Sequence, residues 1–164
     1  MSIETLLGNV HSFLDTVFLK LVDEKIDIST YELDHVCYRV ERQSQYQQLK
    51  NELGKLGELL SEEQIGGRPI STFKLTKPII YKDREIWCVE LPSPKEEKFY
   101  ATGFEHVEFV IDTDFEMFMK AHPNQQFSTR AISKEINPDV SLQYDGFSVK
   151  FHQQSLEYVI TYLE

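Results

Sequence analysis

Four side chains set the chemistry open to this sequence. His35 and His106 each stand near the start of a short run rich in Val, Phe, Tyr and Ile, and the two runs, Leu33–Val40 and Gly103–Ile111, lie about 70 residues apart. His152 closes a third such run, and Glu90 stands near the end of a fourth. Imidazole and carboxylate together are ligands for a divalent transition metal such as Zn, Mn, Ni, Co or Fe. An ion with open positions acts as a Lewis acid on a carbonyl or enolate, or lowers the pKa of a bound water. The spacings fit no local metal signature of the HExxH or CxxC kind. Any such site must therefore be assembled from separate strands.

Those strands can be read from alternation, because successive side chains in a strand point to opposite faces. Val36, Tyr38 and Val40 then share a buried face with Phe73 and Leu75, Trp87, Val89 and Leu91, Val107, Phe109 and Ile111, and Val149 and Phe151. The opposite faces carry His35, Cys37 and Arg39; Thr72 and Lys74; Cys88 and Glu90; His106 and Glu108; and Ser148, Lys150 and His152. A curled sheet would gather these groups on one concave surface. Alternation leaves some alternatives open: Glu90 could face solvent at its strand end, and His152 could cap a helix or contact a backbone carbonyl.

The order of elements repeats. Residues 3–22 carry Ile3, Leu6, Leu7, Val10, Phe13, Leu14, Val17, Phe18 and Leu21 at helical spacing and predict one packing helix. A strand over 33–40 follows, then a helix from Ser44 to Leu56 ended by Gly57, then strands over 58–65, 69–75 and 85–91. Residues 92–98 form a Pro-rich break. The series then restarts with a strand over 104–111, a helix capped by Asp114, an extended stretch over 127–136, a hairpin around Asp145-Gly146 and a last helix capped by Ser155. The expected fold is α+β: two βαβββ modules forming one cup-shaped mixed sheet, preceded by a packing helix. The expected divisions of this one domain are an N-terminal helix over 1–32, module one over 33–92, a linker over 93–102 and module two over 103–164.

Bulk properties narrow the function. The chain has 164 residues, 41% of them hydrophobic, with eleven Phe and eight Tyr, which suffices for one cored domain. The formal net charge of −10 argues against nucleic acid, whose phosphates demand basic surface. No apolar run is long enough for a membrane span, and no basic-then-apolar leader opens the sequence. Two cysteines, Cys37 and Cys88, make no disulfide framework, and a reduced cytoplasmic protein is expected. Against the acidic background, Arg39, Arg68, Lys74 and Lys150 fall on or near the concave side and suggest an anionic small-molecule ligand, a carboxylate or phosphate. Glu108, on the face of His106, is the candidate catalytic base, or else a carboxylate that holds an imidazole in place.

Several short motifs carry a resemblance. Asp34-His35, Gly67-Arg68-Pro69-Ile70, Glu90-Leu91-Pro92, Gly103-Phe104-Glu105-His106-Val107-Glu108 and Lys150-Phe151-His152 with Ser155-Leu156-Glu157 resemble the YecM family. The likeness runs from about residue 33 to the C-terminus, and the helix before it fits too. The two-module plan looks like the vicinal oxygen chelate superfamily of glyoxalase I, extradiol dioxygenases and antibiotic-resistance proteins. That resemblance implies a metal held by the first and last strands of each module, hence by His35, Glu90 and His106. The usual fourth ligand is a Glu on the final strand, but here that strand ends Phe151-His152 and the nearest Glu is Glu157. Alternation favours His152 as the fourth ligand or close neighbour. Two function classes follow: a metal-dependent lyase, isomerase or oxygenase acting on a small anionic molecule, or a binding protein that sequesters a small molecule in the same cup.

Overall fold

Residues 1–164 are described by a computed structural model. Helices α1 (Ile3–Leu7) and α2 (Val10–Asp23) precede β1 (Glu32–Arg39), α3 (Gln43–Leu53), β2 (Gly57–Ile65), β3 (Arg68–Tyr81) and β4 (Arg84–Pro92). Then come β5 (Gly103–Val110), α4 (Phe115–Ala121), β6 (Asp139–Gln143), β7 (Ser148–His152) and α5 (Leu156–Tyr162). The seven strands form one open mixed sheet in the order β2-β3-β4-β1-β5-β7-β6.

The internal repeat is visible in that order. β1 and β5 pair antiparallel at the centre. Each is flanked by a parallel strand of its own half, β4 beside β1 and β7 beside β5. Each of those is flanked by an antiparallel neighbour, β3 and β6. A twofold axis between β1 and β5 thus relates β1 to β5, β4 to β7 and β3 to β6. Parallel neighbours need a crossover, and α3 with β2 and β3, or α4 with β6, supply it.

Local chemistry changes three of the expected elements. The single packing helix over 3–22 is two helices, because Gly8 adopts φ +96° and the Asn9 side chain caps the second helix by accepting from Ser12 N at 2.9 Å. Gly57 does not end α3; the helix closes at Gly54, and Gly57 opens β2, where a Cβ would lie 2.3 Å from Lys74 O. The expected extended stretch over 127–136 pairs only through the Ser128–Ser141 bridge and then turns, with Ile132 N bonded to Thr129 O and Lys134 N to Ala131 O. Ser, Thr and Asn there favour local turns over a ladder. This loop instead walls the concave side, where Asn137 Oδ1 lies 3.0 Å from His152 Nδ1.

The back of the sheet carries the core. Val36, Val89, Leu91, Val107, Phe109, Val149 and Phe151 are fully buried there, and α2 adds Leu14, Val17 and Leu21. Phe18 of α2 packs on Tyr81 and Phe109, and Phe118 of α4 on Phe151 at 4.6 Å. Burial on this scale contributes about 1.5–3 kcal/mol per large side chain. Trp87 departs from expectation: it is 37% exposed, and Ile86 takes the core position at 0%. The β3–β4 pairing jumps from Lys74↔Cys88 to Ile79↔Ile86, so β3 advances five residues while β4 advances two. An irregularity of this kind reverses facing on its far side.

Candidate metal centre

Two β-bulges build the centre. Across β1 and β5 the register runs Leu33↔Phe109, then His35↔Glu108, so Asp34 is an extra residue. It later runs Cys37↔His106, then Tyr38↔Phe104, so Glu105 is extra on the other strand. The two bulges are equivalent under the internal twofold, and each inserts an acid directly before a histidine. A bulge turns two consecutive side chains to one side. Asp34 therefore joins His35 on the concave face, and Glu105 joins His106.

Each acid holds its histidine. His35 Nδ1 is 2.8 Å from Asp34 Oδ2, and His106 Nδ1 bonds Glu105 Oε2. Binding at Nδ1 fixes the ring and aims Nε2 at the site, the arrangement that carboxylate-supported imidazole ligands use. His35 Nε2 lies 3.9 Å from Glu90 Oε2, and His106 Nε2 lies 3.6 Å from Glu90 Oε1. The two rings sit 6.1 Å apart at 74°. Both Nε2 atoms are buried without an aligned hydrogen bond. An orphaned buried imidazole nitrogen is costly unless something fills the role of its partner. Ligand atoms of His35, Glu90 and His106 all lie within 4.8 Å of one another, so these residues fit one divalent ion. They come from β1, β4 and β5, as the sequence predicts.

His152 stands beside this triad rather than in it. Its ring lies 6.1 Å from that of His35, and its Nε2 is 3.3 Å from Asp34 Oδ2. Its ligand atoms group with those of Asp34 and Glu108, all three buried. Glu108 Oε2 lies 3.0 Å from His35 Nε2 and 3.6 Å from His152 Nδ1. Asp34 also accepts a hydrogen bond from Leu156 N at 2.9 Å, tying the start of α5 to the site.

Charge is concentrated here. Burial opposes ionisation of Glu108, but His35, His152 and Lys150 outweigh it and hold the carboxyl well below its ordinary range. A carboxylate so stabilised is a poor proton acceptor and a good imidazole partner. Burial likewise opposes ionisation of Asp34 and Glu105, yet the adjacent histidines bring both down to about 2. Burial disfavours charge on His35, and Glu108 with Asp34 overcomes it, raising its pKa well above the ordinary value.

The four cations expected on the concave side divide. Arg39 and Lys150 line one polar cavity of about 170 Å³. Arg68 does not reach it: Nη1 donates to Tyr100 Oη at 3.2 Å, and the residue lines a different hollow with Gln43, Gly66 and Pro94. Lys74 is committed to Glu157 at 2.7 Å. That ion pair occupies Glu157, the one glutamate near the final strand, away from the triad. Cys37 and Cys88 are buried free thiols whose pKa values burial pushes up, to about 12 for Cys88.

Alternation alone misses Asp34, Glu105, Asn137 and Arg130, the last of which lines the polar cavity with Arg39 and Lys150. It assigns the first two to the core face, and it cannot place the last two, which lie on a loop. The Asp-His and Glu-His dipeptides at matching points of the repeat were the available signal.

Similarity to known proteins agrees with this architecture. The model of the family described as YecM protein matches residues 2–163. Protein YecM of Escherichia coli K12 is 28% identical, over 82% of this chain and 80% of that one. An uncharacterized protein of Haemophilus influenzae is 36% identical over 86 residues, 52% of this chain and 45% of its own length. Among solved structures, the structural-genomics protein EC4020 superposes with a TM-score of 0.80 at 27% identity, covering 93% of this chain and 88% of that one. A hypothetical protein of Bacillus halodurans shares the fold at a TM-score of 0.53 and 17% identity, over 77% of this chain and 96% of its own.

Proposed function

The chain belongs to the YecM family, and from that premise we propose that it is a divalent-metal-binding protein of the vicinal oxygen chelate type, acting as a metal-dependent lyase, isomerase or oxygenase on a small anionic molecule. The observation that carries this reading is the pair of buried histidines, each fixed at Nδ1 by a bulged acid, whose Nε2 atoms, neither in an aligned hydrogen bond, face the same Glu90 carboxylate, with Glu108 Oε2 also 3.0 Å from that of His35. His35, Glu90 and His106 would hold the ion, with His152 as close neighbour. When bound, the ion would supply Lewis acidity toward a carbonyl or enolate oxygen, or toward water. The chain's own residues do the rest. Asp34 and Glu105 orient the two imidazoles. Glu108 places a carboxylate beside the ion-facing Nε2 of His35 and beside His152. Arg39 and Lys150 attract the negative charge of the ligand. The free thiols at Cys37 and Cys88 support a cytoplasmic location.

The second reading, a non-catalytic protein that sequesters the same ligand, draws on Glu108: the carboxylate 3.0 Å from His35 Nε2 is held too far below its usual range to act readily as a base at neutral pH. A screen of small organic acids against metal-loaded protein separates the two. Catalysis predicts metal-dependent turnover of at least one acid that also raises the melting temperature. Stabilisation by ligands, with none consumed, selects sequestration. Absence of any metal-dependent ligand effect would overturn both.

A further inference from the structure

The internal twofold identifies what stands in the place of a fourth metal ligand. In the first half of the sheet, His35 pairs with Cys88 and Cys37 with Glu90. In the second half, His106 pairs with Ser148 and Glu108 with Lys150. His35 maps to His106, so Glu90 maps to Lys150, not to His152. A symmetric centre would have a carboxylate there; this chain has an ammonium. A protonated amine cannot ligate a metal, but it binds oxyanions.

The surroundings of Lys150 suit that role. The cavity of about 170 Å³ that it lines also takes in Arg39, Arg130, Ser141 and Ser148. Lys134, on the same wall, is neutralised by Asp139 at 3.2 Å, and Arg39 Nε lies 3.7 Å from Glu105. Arg130 and Lys150 make no ion pair with any carboxylate. Two cations without a salt-bridge partner share one polar cavity with the Lys134–Asp139 and Arg39–Glu105 pairs, a local excess of positive charge in a chain of net charge −10. At roughly 30 Å³ per water, the volume suits one carboxylate or phosphate group, not a whole ligand. Arg39, Glu105 and Gln143 are shared with an adjoining hollow of about 390 Å³ walled by Phe99, Tyr100, Tyr144 and Phe147. That hollow gives room for an apolar or aromatic body.

We propose that Lys150 replaces a fourth metal ligand with an anion-binding group, and that Lys150, Arg130 and Arg39 form the pocket for the carboxylate or phosphate of a ligand whose aromatic or apolar body rests on Tyr100 and Phe147. The proposal deepens the metal-centre reading by naming the ligand class, but the anion pocket does not itself need the metal. Metal-free protein at low ionic strength is titrated with phenyl phosphate, phenylacetate and neutral benzyl alcohol, following heat release and melting temperature. Wild-type protein binds at least one anion and not the alcohol; which anion is preferred tells phosphate from carboxylate. Lys150→Met and Arg130→Ala each weaken that binding at least tenfold, while Lys150→Arg largely keeps it. Arg130 lies on an exposed loop, so its variant tests the pocket without threatening the fold. Zinc titration of Lys150→Met gives an affinity within a few-fold of wild type. Failure of both anions to bind, or binding indifferent to both Arg130→Ala and Lys150→Met, overturns the pocket. A tenfold loss of zinc affinity in Lys150→Met overturns the replacement. If zinc fails to bind wild-type protein while the anions bind as described, the pocket stands, and the metal reading falls together with the ligand replacement that rests on it.

Discussion

Replacement of Asp34 probes how far the support of the histidines governs the site. Its carboxylate is 5% exposed and accepts from His35 Nδ1 at 2.8 Å and from Leu156 N at 2.9 Å. Asp34→Ala strands two buried donors, at about 1–3 kcal/mol each. The sum is a large share of the roughly 5–15 kcal/mol that holds a domain together. Asp34→Asn is the informative variant. Its amide oxygen can still accept from Leu156 N, but the charge is lost. Lowering the Asp34 pKa from 3.8 to about 2 means that its contribution is present above pH 3.8 and disappears as pH falls through about 2. At 1.36 kcal/mol per unit this is about 2 kcal/mol. Urea denaturation of metal-free Asp34→Asn at pH 7 should show that loss, and its stability should change less than wild type between pH 5 and pH 2. The freed ring of His35 should lower zinc affinity roughly 10- to 100-fold. Glu105→Gln, at the equivalent bulge, should show the same loss of zinc affinity with a loss of stability of similar size, because its carboxyl is likewise held down to about 2. Zinc binding in Asp34→Asn within twofold of wild type would refute the reasoning: Asp34 would then be only a tie between β1 and α5.

Other consequences can be checked separately. His152→Ala should lose about 1–3 kcal/mol, as its buried contact with Asn137 goes, yet keep zinc affinity within a few-fold; a hundredfold loss in a zinc titration would make it a ligand. Gly57→Ala should lower the melting temperature, because the new Cβ meets Lys74 O at 2.3 Å and backbone cannot yield cheaply, a cost of about 1–3 kcal/mol; an unchanged melting temperature would show that β2 and β3 approach less closely. The raised pKa of His35 keeps it protonated at neutral pH in the metal-free protein, so metal binding should displace about one proton and strengthen as pH rises through and above 7. Calorimetry in two buffers of different ionisation enthalpy measures that proton, and a value of zero would show His35 already neutral.

Much of this architecture is legible in the sequence because alternation and spacing are local signals. The pairing of His35 with His106 follows from two matching strands, and Glu90 from the parity of a third. What alternation cannot see is a change of parity. The bulges at Asp34 and Glu105, and the jump in β3 opposite Trp87, depend on how two strands register, which no single strand encodes. Counting along β7 likewise gives the facing of His152 but not its depth, and so leaves it as a fourth ligand or a close neighbour. Lys150 becomes significant only when the pairings of both halves are compared. Arg68 and Lys74 carry charge of the expected sign, but their partners Tyr100 and Glu157 come from distant segments. Arg130 and Asn137 reach the site from a loop whose path follows turn chemistry rather than periodicity.

The central claim is that His35, Glu90 and His106 form one metal centre. Titration of tag-free protein with Zn, Mn, Ni, Co and Fe(II) under reducing conditions tests it most directly, run on wild type and on His35→Ala, Glu90→Gln and His106→Ala. Each variant should fold, since Val36, Tyr38, Val107 and Phe109 still anchor the strands in the core. At least one ion should bind wild type tighter than about 0.1 mM, roughly 5 kcal/mol, and each substitution should weaken it about a hundredfold or more. No ion binding wild type at that level, or binding that survives the loss of both histidines together, would contradict the account.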